Sequence, residues 1–313
     1  MKFIQSTNAS TGETINISYC DYGAGKSVVL IHGWPLSKEM WEYQTEPLVN
    51  AGLRVIAYDR RGFGMSDKPW SGYDYDSFAD DLHALITQLN LDDVTLVGFS
   101  MGGGEVARYF SRYNGEHVSK AVLVASIVPY LAKTEDNPDG VSQEQLNGMI
   151  SGLNNDRIGF IDDFSKPFFG IGFLNHPVSN ALWSYYLMLA SIASPKATKD
   201  CVTAFTTTDF GKDTAAINVP VLIIHGDSDK IIPIEIAGNK AAEIIPNNQF
   251  VVYESAPHGL FYTHRERLTN DLISFITTGT VSTNPVSVTG ETLPDDYVVL
   301  PSNDEGLVTR DVQ

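Results

Sequence analysis

Cysteine is almost missing from these 313 residues: there are two, Cys20 and Cys201. Two scattered thiols in so long a chain leave no room for a disulfide framework, and predict reduced, buried side chains. The opening MKFIQSTNASTGE has one Lys but no apolar core behind it, so no secretory signal is expected and the cytoplasm is the expected location. Cationic side chains are also scarce, with 21 Lys and Arg against 38 Asp and Glu and a net charge of −17. That balance argues against nucleic acid or an anionic membrane surface as a partner. No run is long and apolar enough to span a bilayer. Nucleotide loops are incomplete. Gly25-Lys26-Ser27 ends like a phosphate loop, but Cys20 stands where the first glycine belongs and the segment precedes a strand. Gly62 and Gly64 supply two glycines of a dinucleotide fingerprint whose third position is Asp67. No nicotinamide or flavin site is therefore expected.

What the chain does contain is VTLVGFSMGGG, from Val94 to Gly104. An apolar β-branched run passes through Gly98-Phe99-Ser100-Met101-Gly102 into a helical segment, Glu105 to Tyr113. A pentapeptide G-x-S-x-G arises by chance about 0.1 times in a chain of this length. Its position between a strand and a helix makes it a nucleophile elbow. A turn that sharp strains the Ser backbone and leaves no space for a Cβ on either flank. It aims the Ser100 hydroxyl over the end of the sheet and sets the Met101 N–H at a helix start, where developing negative charge is favoured.

Around this stretch, apolar runs alternate with amphipathic segments. Strands are expected at Phe3–Thr7, Thr14–Tyr19, Val28–Ile31, Arg54–Tyr58, Val94–Val97, Ala121–Val128, Val219–Ile224 and Phe250–Tyr253. Helices are expected after Ser37 as N-cap with Gly52 as stop, after Asp76 as cap, near Ile234–Ile245 and over His264–Ile276. The pattern specifies a mostly parallel sheet covered on both sides. From 129 to 213 the buried strands stop and aromatics gather: Phe160, Phe164, Phe168, Phe169, Phe173, Trp183, Tyr185 and Tyr186. This reads as a helical lid interrupting a core of residues 1–128 and 214–278. Residues 279–313 read as a separate acidic tail, in which Val286–Val288 and Tyr297–Leu300 are expected to pair as short strands or lie along the body.

A serine needs a base, and the base needs an orienting group. In an elbow architecture these follow the serine in the order acid, then His. The segment after Val219–Ile224 offers Asp227 and Asp229. Asp229 lies further into the loop, whereas Asp227 is suited to bracing the turn. Among seven histidines, His258 occupies the Pro/Gly-marked loop after the last strand. His32 and His225 end strands and are expected to orient loops. The second oxyanion donor, beside Met101, is the N–H of Trp34 in His32-Gly33-Trp34-Pro35. Candidate pocket walls are Pro35, Phe164, Phe168 and Trp183.

Together HGWPLS, DRRGFGMSDKPW, DDLHALI, TLVGFSMGGGEVARY, ATKDCVTAFTTTDF, VPVLIIHGDSDKIIP and APHGL resemble the cofactor-free bacterial haloperoxidases, which are serine esterases and perhydrolases. The resemblance runs from about Phe3 to Thr278. It implies the α/β-hydrolase fold: a mostly parallel eight-stranded sheet, helices on both faces, and a helical lid inserted after the sixth strand. It also implies Ser100, Asp229 and His258 as triad, Trp34 and Met101 as oxyanion donors, and neither metal nor haem. Members often form homo-oligomers, but the tail after Thr278 departs from their pattern. Pro35 matches perhydrolase-type members, where many esterases carry Leu. A proline restricts the residue before it, which would turn the Trp34 carbonyl toward hydrogen peroxide in the pocket. The expected function is hydrolysis of small carboxylic esters through an acyl-enzyme, with perhydrolase activity forming peracids from an ester or carboxylic acid and hydrogen peroxide. Lactone or lactam opening by the same triad is the alternative, and from another class, a non-catalytic binding protein of the same fold.

Overall fold

Strands covered on both faces are predominantly apolar, and three strands of this chain show it. β3 (Ser27–Ile31), β5 (Val94–Phe99) and β7 (Val221–Gly226) are buried at every residue. The computed structural model describes residues 2–172 and 175–281. Phe173 and the expected tail strands at Val286–Val288 and Tyr297–Leu300 lie outside the described residues. The remaining strands are β1 (Lys2–Thr7), β2 (Thr14–Tyr22), β4 (Arg54–Tyr58), β6 (Val118–Val124) and β8 (Asn248–Tyr253). All eight join one sheet in the order β1-β2-β4-β3-β5-β6-β7-β8. β1 pairs antiparallel with β2, and β2 with β4; every other pair is parallel.

Eleven helices are described: α1 (Glu42–Asn50), α2 (Tyr75–Gln88), α3 (Met101–Tyr113), α4 (Gln143–Asn155), α5 (Arg157–Phe168), α6 (Asn180–Ile192), α7 (Pro195–Thr207), α8 (Gly211–Ala215), α9 (Gly238–Ile244), α10 (Leu260–Thr263) and α11 (Arg265–Thr278). The apolar stripe Phe78, Leu82, Leu85 and Ile86 of α2 is fully buried. α1 packs on α11, while α2, α3, α8 and α9 form a second series of neighbours. Helices α4 to α8 lie between β6 and β7 in the chain, in the stretch where sequence periodicity changes.

Several boundaries differ from the sequence expectation, each for a local reason. β6 ends at Val124, not Val128, because Ala125 takes a positive φ of 43° that extended backbone cannot hold. Asp74, not Asp76, caps α2: its backbone is extended and its carboxylate accepts the Ser77 N–H at 2.9 Å. Ser37 precedes a 3-10 turn, Lys38–Trp41, and its hydroxyl makes no cap bond. Asp59 supplies that acceptor, taking the Lys38 N–H at 2.8 Å and the Lys38 ammonium at 2.8 Å. α9 starts four residues after Ile234, once the turns closed by Pro233 and Ile234 carbonyls are complete.

The strand order reverses at β3: the chain crosses from β3 to β4 on one side and then to β5 on the other. Crevices at the carboxyl ends of strands beside such a reversal are where open α/β sheets bind ligands. The loop after β3 carries Gly33-Trp34-Pro35, and the turn after β5 carries Ser100. The β7 and β8 ends lead to Asp229 and His258.

Candidate active site

Ser100 links β5 to α3 with φ 53° and ψ −117°, a conformation that side chains other than glycine rarely adopt. The flanking glycines make the turn fit. A Cβ on Gly98 would stand 2.5 Å from the Gly102 carbonyl oxygen, and one on Gly102 would stand 2.7 Å from that of Ile31. Both contacts are with backbone, which has little freedom to retreat. The strand and helix therefore approach as closely as the elbow requires.

The structure brings Ser100, His258 and Asp229 into one hydrogen-bonded line. The Ser100 hydroxyl lies 3.0 Å from His258 Nε2, and His258 Nδ1 lies 2.6 Å from Asp229 Oδ2. All three are buried. The other carboxylate oxygen, Oδ1, accepts the N–H groups of Ile231 at 2.9 Å and Ile232 at 2.8 Å. Burial opposes ionisation of Asp229, but the facing His258 and bonds from His225 and His258 outweigh it and hold the carboxyl well below its usual range. Asp229 is thus an anion fixed on two backbone amides. Asp227, the alternative acid, is turned away and accepts the Ser255 N–H at 2.7 Å.

The two loop histidines orient backbone. His225 Nε2 lies 2.9 Å from the Ile232 carbonyl oxygen. His32 Nδ1 donates to the Gly33 carbonyl at 2.9 Å, and its Nε2 accepts the Arg60 N–H at 3.0 Å. Burial, with the Arg60 cation beside it, holds His32 well below its usual range, which suits an accepting nitrogen. Arg60 also donates to the His32 carbonyl at 3.0 Å and pairs with Glu105 on α3 at 2.7 Å. The Trp34 loop is in this way tied to the helix that Ser100 begins. Sequence reading gave Arg60 and Glu105 no role, because a buried ion pair between distant segments leaves no local pattern. The other histidines are elsewhere; His83, for example, stacks on Tyr113 with ring centroids 4.0 Å apart.

A cavity of about 350 Å³ opens on Ser100 and His258, with Trp34 and Met101 in its wall. Neither the Trp34 nor the Met101 N–H donates to another backbone group among the described residues. The indole N–H of Trp34 is engaged by the Thr198 carbonyl at 2.9 Å. Of the four candidate wall residues, Phe164 lines this cavity and the other three do not. Pro35 and Phe168 border a separate small void of about 20 Å³. Phe168 stands behind His258, its ring edge-on to the imidazole at 5.0 Å. Trp183 is held on the flank of α5 by its indole N–H, which donates to Asp162 at 3.1 Å. Walls that sequence reading did not single out include Ile127, Leu131, Met149, Phe205 and Ile231. A larger opening of about 930 Å³, bordered by Glu39, Glu42, Tyr43 and Tyr185, holds no nucleophile and base in contact. Among the described residues no cluster of His, Cys, Asp and Glu is arranged to hold a metal ion, and no helix is long and apolar enough to cross a membrane. Cys20 and Cys201 are unbridged; Cys201 is buried as expected, whereas Cys20 is only half-buried.

Residues 26–265 match the family model described as the alpha/beta hydrolase fold. The chain is 40% identical over 269 residues to a non-heme chloroperoxidase of Kitasatospora aureofaciens, covering 85% of this chain and 98% of that one. It is 38% identical over 270 residues to a bifunctional esterase/perhydrolase of Acinetobacter calcoaceticus, with 85% and 98% covered. Among solved structures it is similar to a bromoperoxidase of Bacillus anthracis, with a TM-score of 0.83 and 48% identity over 88% of this chain and 99% of that one.

Proposed function

The chain belongs to the alpha/beta hydrolase family, and within it we propose that Ser100, His258 and Asp229 are nucleophile, base and orienting acid of an acyl-enzyme mechanism. The protein is a serine ester hydrolase of the non-heme haloperoxidase and esterase/perhydrolase type. One observation carries the assignment of residues: the continuous line from the Ser100 hydroxyl through both ring nitrogens of His258 to Asp229.

His258 Nε2 takes the Ser100 proton as Oγ attacks the acyl carbon. Asp229 stabilises the imidazolium without itself taking the proton. The tetrahedral oxyanion faces the N–H groups of Met101 and Trp34, at the start of α3 and in the loop after β3. His258 then returns the proton to the departing alkoxide, leaving an ester on Ser100. Water, deprotonated by His258, attacks that ester and releases a carboxylic acid. Hydrogen peroxide attacking in its place releases a peracid, and free peracid oxidises halide in solution. With a carboxylic acid as donor, water is the first leaving group and the second half is the same.

The test is hydrolysis of p-nitrophenyl acetate by wild type and Ser100→Ala, with peracid formation followed in acetate and hydrogen peroxide. Both activities should vanish together in the variant, because they share the acyl-enzyme. A variant that keeps either activity would remove the proposal.

A further inference from the structure

We propose that the cavity beside Ser100 selects acyl donors carrying a second, distal carboxylate, and that Lys230 recognises that group. This rests on the acyl-transfer reading above and adds a substrate class to it. Apart from Ser100, His258 and Trp34, whose indole is engaged, three polar residues line the cavity: Gln145, Thr206 and Lys230. The Thr206 hydroxyl donates to the Val202 carbonyl at 2.7 Å. Gln145 Oε1 accepts the Ser142 N–H at 2.8 Å as half of a capping box, which leaves the amide NH₂ as the group it can offer. Lys230 is exposed at the edge of the cavity and forms no ion pair among the described residues. Its neighbouring acids are occupied, Asp229 with His258 and Asp227 with the Ser255 N–H.

The side-chain groups left for a ligand on these residues are therefore donors, one of them a full cation, and no Asp or Glu is among the lining residues. Apart from Thr206 and the Ser100–His258 pair, the other lining residues are apolar. A carboxylate entering such a cavity is costly unless it meets a charged donor, and a charge-assisted hydrogen bond is about twice as strong as a neutral one. Lys230 is suited to that role by its backbone as well. It sits between Asp229 and the two amides that Asp229 Oδ1 grips, so its Cα is anchored next to the triad. Its long arm carries a point charge that reaches acyl chains of differing length. In a chain of net charge −17, whose overall field repels anions, this cation supplies the local attraction. The distal carboxylate takes no part in bond making; the reaction remains acyl transfer at the other end.

The experiment compares kcat/KM for monoethyl adipate with that for diethyl adipate, by ethanol release, in wild type, Lys230→Met and Lys230→Glu. The ratio of monoester to diester should fall about three- to tenfold in Lys230→Met, and further in Lys230→Glu. Raising salt from about 0.02 to about 0.5 M should compress the wild-type ratio toward that of Lys230→Met. Labelling of Ser100 by a fluorophosphonate in each variant reports whether the Asp229 loop is intact, so a folding defect is distinguished from lost selectivity. A ratio that is the same in all three intact proteins would overturn the proposal. Failure of the wild type to turn over either adipate while it hydrolyses p-nitrophenyl acetate would also overturn the proposal, whereas absence of p-nitrophenyl acetate hydrolysis would instead remove the acyl-transfer reading on which it stands.

Discussion

Most helices of the insertion and the helix that follows Ser100 begin in opposite ways. Four of the insertion helices, α4 to α7, start with a side chain that accepts a backbone N–H: Ser142, Asp156, Ser179 and Ser194. Helix α3 starts at Ser100, whose side chain makes no such bond. Ordinarily an uncapped start costs about 1 kcal/mol. α3 tolerates it because its buried face, including Val106, Ala107, Tyr109 and Phe110, packs into the core. Packing holds that helix, so its first N–H remains available for chemistry. The insertion helices have less of the sheet to lean on, and local capping does more of the work. The comparison separates two tasks: the sheet and α3 position the reacting groups, and the insertion supplies much of the cavity wall.

The sharpest way to break this division is to damage the positioned groups without touching the insertion. Asp229→Asn keeps the shape of the side chain but removes the charge facing His258, and should lower kcat by about 10⁴-fold with a near-native thermal midpoint. A loss of less than tenfold would mean that Asp229 does not hold the base. On the other side, removing a cap from the insertion should act on stability before chemistry. Ser142→Ala and Ser194→Ala should each cost about 1 kcal/mol in denaturant unfolding, with kcat for p-nitrophenyl acetate changed less than about twofold. If these variants instead lose kcat in step with Asp229→Asn, the insertion is part of the catalytic frame and the separation fails.

The smallest effect concerns the antiparallel edge of the sheet, where Arg54 on β4 donates to Asp21 on β2 at 2.9 and 3.0 Å. The Arg54 bonds hold the Asp21 carboxyl below its usual range, against a smaller opposing effect of burial. A carboxyl whose folded value is lowered favours the fold above its unfolded value of about 4, and that contribution fades as pH falls toward the folded value. Wild type should therefore exceed Asp21→Asn in stability above pH 5 by no more than about 1 kcal/mol. The gap should close toward pH 3. A gap that widens on acidification would contradict the assigned direction.

What could be read from the sequence follows the same division. The elbow, the two later loops and the buried parallel strands were legible because each is encoded locally, by glycine spacing, by a Pro/Gly-marked loop or by an apolar run. Phe164 was recognisable as a candidate wall, whereas Pro35, Phe168 and Trp183 face other surroundings. An aromatic in a helical insertion looks the same whether it lines a cavity or packs behind a histidine, since only the tertiary arrangement distinguishes the two. Met149, Phe205 and Ile231 gave no signal for the same reason. The end of β6 was missed because a positive φ at Ala125 is imposed from outside; alanine has no preference for it. Lys230 adjoins Asp229 in HGDSDK, but only the cavity makes that adjacency meaningful.

The central claim is that Ser100 is activated by His258 across the 3.0 Å contact between them. The most direct measurement is labelling with a fluorophosphonate, followed by intact mass and peptide mapping, on wild type and His258→Ala. One adduct per chain, on Ser100, that forms in the wild type and fails to form at a comparable rate in the variant is the predicted result. An adduct on another serine, or equal labelling of Ser100 without His258, would contradict it.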